Sequence, residues 1–164
     1  MRRAYLATAA LLLMAAALLL RSQTAVIGPV PAVVAKVDSS GLTANISATT
    51  FYTVPSGQAG TYRMMCYEIT TQAASSSSTL PQCAVYWTDA DTNVGNSAAI
   101  TVAVTSNGVG VSSAEGTGSG YMPGGSVFNA RAGTVIQYGS INYASSGASV
   151  LTYNIHVKLE YLGQ

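Results

Sequence analysis

Val150-Leu151-Thr152-Tyr153-Asn154-Ile155-His156-Val157-Lys158-Leu159-Glu160-Tyr161-Leu162, near the end of the chain, decides the fold. Leu151, Tyr153, Ile155, Val157, Leu159 and Tyr161 alternate with Thr152, Asn154, His156, Lys158 and Glu160, which is the period of a strand with one buried face. A helix, with its period of about 3.6, would smear the same residues over two sides. Only an inner strand carries so unbroken an apolar face, so this segment is expected in the middle of a sheet.

The rest of the chain continues the pattern in shorter pieces. Residues 62–71 read as a second strand in which Met65, Tyr67 and Ile69 face one way, and residues 83–88 as a third in which Cys83, Val85 and Trp87 share a face. Weaker strands are expected at 42–47, 50–54, 99–105, 127–130 and 134–138. Turn chemistry separates them at Pro55-Ser56-Gly57, the serines 75–78, Asn107-Gly108, Pro123-Gly124-Gly125, Arg131-Ala132-Gly133 and Ser145-Ser146-Gly147. About eight short strands at this spacing predict an all-β, two-sheet antiparallel β-sandwich.

Of the 164 residues, 49% are hydrophobic and only 8% charged, against about a quarter charged in an ordinary domain. Solubility must come from hydroxyls and amides. One domain suffices for this length, and no repeat of solenoid or propeller period is present. A net charge of +1 from seven basic residues leaves no footprint for nucleic acid, so no such partner is expected. The Gly/Ser-rich stretch 106–126 lacks the Lys-Ser/Thr and the helix of a phosphate cradle, and reads as a long exposed loop.

At the N-terminus, Met1, Arg2 and Arg3 precede an uncharged Ala/Leu run over residues 6–20 that ends at Arg21. Fifteen helical residues rise about 22 Å, short of a hydrocarbon core of about 30 Å. Residues 1–25 therefore read as an apolar helical signal peptide, with small residues at Thr24 and Ala25, or as an uncleaved signal anchor. A start further along the chain is the third reading. Residues 26–35, with Gly28-Pro29 and Pro31, read as a linker, and 36–164 as the sandwich domain. That domain carries Lys36, Arg63, Arg131 and Lys158 against six carboxylates, a net charge of −2. The expected destination is secretion or the cell surface, with membrane contact only through the N-terminal segment if it stays uncleaved.

Phe51-Tyr52-Thr53-Val54-Pro55 followed by Gly60-Thr61-Tyr62-Arg63 resembles the entry of jelly-roll domains of the C1q and tumour necrosis factor kind. Trp87-Thr88-Asp89, Phe128, Ala130, Gly133-Thr134, Ile136, Tyr138, the run Tyr143 to Gly147 and the closing strand resemble small β-sandwich proteins of phage structural modules and uncharacterised bacterial secreted proteins. The resemblance covers residues 42–163. It implies a jelly-roll-like sandwich, often a homotrimer, displayed on a virion or cell surface. The apolar N-terminal run departs from a virion protein assembled in the cytoplasm and favours the secreted kind.

Candidate sites are few. Asp89, Asp91 and Asn93 place oxygens on alternate positions, as in a calcium loop, but Val94 stands where the turn needs glycine and Ile100 where the bidentate glutamate belongs. The competing reading is a turn whose Asp and Asn cap their own backbone. No cofactor is expected. His156 should point to the polar face beside Asn154 and Lys158. No Gly-x-Ser-x-Gly elbow is present, and nothing pairs Glu68, Glu115 or Glu160 for glycoside cleavage, so an enzyme is not expected. Tyr121 and Tyr143 lie in loop-like sequence where a sugar ring could stack, with packing as the alternative. Cys66 and Cys83 flank the serine-rich tip, and a symmetric hairpin would set them opposite one another, as a disulfide or as two packed thiols. The function so implied is a non-enzymatic structural or display module, homo-oligomeric and trimeric by resemblance. A carbohydrate- or receptor-binding module is the alternative, with a surface glycan or receptor as partner.

Overall fold

A computed structural model describes residues 31–100, 104–107 and 125–164, and every regular element in them is a strand. In chain order these are β1 (Ala32–Leu42), β2 (Thr49–Thr53), β3 (Gly60–Gln72), β4 (Ser77–Leu80), β5 (Gln82–Thr88), β6 (Gly95–Ala99), β7 (Val104–Asn107), β8 (Ser126–Ala130), β9 (Val135–Ile141), β10 (Ala144–Ser146) and β11 (Thr152–Gly163). They form two four-stranded sheets, β1-β11-β3-β8 and β2-β9-β5-β6, and a small third sheet, β10-β4-β7. All ladders are antiparallel.

With the three short strands set aside, the other eight pair first with last (β1 and β11), second with seventh (β2 and β9), third with sixth (β3 and β8) and fourth with fifth (β5 and β6). One antiparallel ribbon is thus wound on itself into two facing sheets, the jelly-roll order. β4, β7 and β10 fall in the connections at one end of the roll and pair there with each other.

The alternation read from residues 150–162 does its expected work. β11 lies between β1 and β3, and Tyr153, Ile155, Val157 and Leu159 turn inward, each 1% exposed or less. On β3 the inner row is Tyr62, Met64, Cys66, Glu68 and Thr70, so Met65, Tyr67 and Ile69 do share a face, but it is the outer one. β5 and β9 close the core from the opposite sheet with Cys83, Val85, Ile136 and Tyr138. Burying each large aliphatic side chain contributes about 1.5–3 kcal/mol, so these rows hold the sheets together.

Several boundaries differ from the sequence reading. β1 begins at Ala32, and Val34 and Ala35 pack on the core, so the strand takes in residues read as linker. Residues 43–48 form no strand. The serines read as turns at 75–78 and 145–147 instead contribute β4 and β10, where Ser77 and Ser146 are ladder partners with hydroxyls 2.7 Å apart. Serine favours turns because its hydroxyl competes for nearby backbone groups. Here the competition is settled by a partner across the ladder. The turns at 55–57 and 131–133 stand where the sequence placed them. The apolar run 6–20 lies outside the described residues.

Candidate functional site

On the outer face of the second sheet, the ladder sets Gln137, Tyr86 and Ser97 side by side across β9, β5 and β6. The next rung on that face is Gly139, Ala84 and Ala99, with almost no side chain. Tyr86 therefore stands as a lone ring among small neighbours. A Cβ built on Gly139 would come within 3.4 Å of Tyr86 Cε2, so the tyrosine leans over the glycine and lies down on the sheet. Beside it opens a groove of about 370 Å³, lined by Tyr86, Trp87, Thr88, Asn96, Ser97 and Gln137 among others, none of which carries a charge. Trp87 is held from the core side by Phe128, with ring centroids 4.7 Å apart. An apolar ring flanked by amides and hydroxyls offers a flat face to C–H groups and hydrogen bonds to hydroxyls, which suits a neutral polyol better than an ion.

The outer face of the first sheet is different in kind. Two rungs about 7 Å apart cross β1, β11 and β3, one of Lys36, Lys158 and Met65, the other of Asp38, His156 and Tyr67. The two lysines face each other and swing apart, Lys36 Nζ to Asp38 at 2.8 Å and Lys158 Nζ to Glu160 at 2.9 Å. A shallow groove of about 180 Å³ opens between them over Met65 and Tyr67. His156 Nδ1 lies 2.6 Å from Asp38 Oδ1, and its ring runs nearly parallel to that of Tyr67, 5.8 Å away. Lys36, and then His156, hold the Asp38 carboxyl below its ordinary value. Lys158, and then Arg63, do the same for Glu160. These charges are already matched to one another, so the face has little left to attract an ion. His156 points outward, as its place in the alternation requires.

The remaining candidates fall as follows. Asp89 Oδ1 accepts the backbone N–H groups of Asp91 and Thr92 and the Thr92 hydroxyl, with the Thr92 contacts leading in lowering its pKa. Asp91 Oδ2 accepts from Asn129 Nδ2 at 3.3 Å, and Asn93 takes a left-handed φ of 59°. That is the geometry of a turn capped by its own aspartate. The Tyr143 hydroxyl donates to the Leu151 carbonyl at 2.6 Å and its ring packs against Tyr153, so it closes one end of the core. Tyr121 lies outside the described residues. Trp87 and Tyr143 do not converge: Trp87 is five ladder positions, about 17 Å, from Gln82, the residue paired with Ile141 near Tyr143.

Cys66 and Cys83 are brought together, but not as a hairpin. β3 and β5 belong to opposite sheets, so the thiols meet through the core, together with the Glu68 carboxylate. They are not joined by a disulfide in the structure, and burial pushes the Cys66 thiol up, with its hydrogen bond to Cys83 adding to the effect.

Sequence reasoning missed Tyr86. The signal was present in the strand 83–88: once Cys83, Val85 and Trp87 are assigned inward, Tyr86 must face out between Ala84 and Thr88.

No known protein family matches the sequence, and no curated protein matches it either. Among solved structures, one it is similar to is that of the Clostridium thermocellum N-terminal endo-1,4-β-D-xylanase 10B, its CBM22-1 and GH10 modules complexed with xylohexaose. The match covers 79% of this chain but only 25% of that one, at 11% identity and a TM-score of 0.35. A likeness of that size carries no inference about function.

Proposed function

We propose that the chain is a non-enzymatic β-sandwich module, displayed outside the cell, that binds a neutral carbohydrate through the Tyr86 groove. The observation that carries the reading is a single tyrosine lying over Gly139 with uncharged hydrogen-bonding side chains on either hand. A pyranose would lay its C–H face on the ring while Gln137, Ser97 and Thr88 take its hydroxyls. The experiment is a glycan array with the full chain, followed by calorimetry on the best glycan. Tyr86→Ala should weaken binding at least about tenfold, equivalent to about 1.4 kcal/mol, while Tyr143→Phe leaves it unchanged. An array without hits, or a folded Tyr86→Ala protein that binds as well as the parent, would overturn the reading.

A purely structural display role is the second reading, favoured by the jelly-roll winding that the resemblance to phage structural modules implies. It expects a homo-oligomer, with a trimer first, and light scattering showing a monomer at micromolar concentration would remove it.

A further inference from the structure

Cys66 and Glu68 are two residues apart on β3, hence on one inner face, and Cys83 reaches them from β5 in the opposite sheet. Both cysteine sulfurs and a Glu68 carboxylate oxygen lie within 4.8 Å of one another, and all three residues are buried. Their exposures are 2%, 0% and 0%, with Ile155 and Val157 as the ladder partners of Glu68 and Cys66. We propose that these side chains form a closed structural site for one thiophilic divalent cation of the zinc class.

The chemistry of the donor set supports a cation over a disulfide. Zinc binds thiolates at about 2.3 Å and carboxylate oxygens at about 2.0–2.2 Å, so tetrahedral ligand atoms sit roughly 3.3–3.8 Å apart. The three donors, now within 4.8 Å of one another, need to close by about 1–1.5 Å, with the Glu68 carboxylate binding through one or both of its oxygens. Each thiol releases its proton to solvent on binding, and the two thiolates balance the charge of the ion. A disulfide between the same cysteines is neutral and has no donor, so it makes no use of the carboxylate beside it. A cation at this point meets all three groups at once. Because the donors are sealed between the sheets, the ion should enter as the chain folds and leave only as it unfolds.

The test is made on the full chain, purified with a phosphine reductant, treated with a chelator while folded, and assayed for metal by mass spectrometry. One zinc per chain should remain, and be lost only when the chelator is added in denaturant. Refolding in cobalt(II) should give the thiolate-to-cobalt charge-transfer band with the intense visible bands of an ion of low coordination number. Glu68→Gln should lower the cobalt affinity at least about tenfold, and Cys83→Ser should abolish the charge-transfer band. Should either variant fail to fold, the cobalt spectrum of the parent chain still decides. A parent protein that refolds without binding zinc or cobalt overturns the site. So does one whose native form, purified without reductant, is two hydrogens lighter with Cys66 linked to Cys83 and takes up no metal after reduction.

Discussion

Ile155 and His156 are neighbours on β11 with opposite surroundings, and replacing each by alanine measures the face assignment directly. Ile155 is fully buried, with Ser39 and Glu68 as its partners on either side of the ladder. Trimming it to alanine removes three carbons from the core. Transfer at about 0.8 kcal/mol per methylene gives about 2.4 kcal/mol, and the cavity left between packed sheets adds to it. A loss of about 2–5 kcal/mol is expected, which at a urea slope near 2 kcal/mol/M lowers the midpoint by about 1–2.5 M. The side chain of His156 is 45% exposed; alanine there removes a solvent-exposed contact with Asp38 and a ring contact with Tyr67. Such surface changes leave the midpoint nearly where it was. The chain has one tryptophan, and Trp87 packs on Phe128, so fluorescence in urea reads the unfolding of the core. A midpoint lowered as far by His156→Ala as by Ile155→Ala would refute the assignment. Ile155→Asp, which puts a charge where the isoleucine sits, should yield no folded protein.

Acid should destabilise the fold through Asp38, Asp89 and Glu160. Their folded-state pKa values lie below the ordinary 3.8 and 4.5, so their contribution is complete above those values and is lost as the pH falls through the depressed ones. Urea midpoints that stay flat from about pH 6 to about pH 3 would contradict this. Gly125 has a φ of +61°, and a Cβ there would come within 1.8 Å of the Met64 carbonyl oxygen. Gly125→Ala should therefore cost more than the roughly 1–2 kcal/mol of a left-handed backbone alone, and a thermal midpoint unchanged from the parent would count against the way β8 enters beside β3. A fusion of residues 1–35 to a reporter active only in the periplasm should be active, and a silent reporter with the chain intact in the cytosol would end the case for export.

How much of this was legible depends on what each segment buries. β11 could be read outright because six apolar residues alternate without a break. β3 could be placed but not oriented, since its two rows, Met65-Tyr67-Ile69 and Met64-Cys66-Glu68, differ mainly by a carboxylate, and the row with the carboxylate is the buried one. β4 and β10 could not be read at all: they are short and rich in serine, with Leu80 of β4 the one residue of the two strands in the core cluster, and they are held largely by their ladder partners. The Cys66–Cys83 pairing shows a different limit. Two strands a dozen residues apart read naturally as a hairpin, but the winding here sends β3 and β5 to opposite sheets. The two cysteines do lie close together, but across the core and without a disulfide, and not on a hairpin.

The Tyr86 groove follows the same logic one step further. A tyrosine on the outer face of a strand is ordinary, and what makes this one a platform is the set of residues that surround it in space. Gly139 and Ala99 are its neighbours only through the ladders with β9 and β6, at separations in sequence that no local pattern reports. A larger residue at position 139 would meet the Ile46 carbonyl oxygen at 2.9 Å as well as the tyrosine ring, so the glycine serves the edge of the sheet and the posture of Tyr86 together. The fold is written in faces that each strand carries by itself. The site is written in the register between strands, and becomes visible only once the roll has brought β9, β5 and β6 side by side.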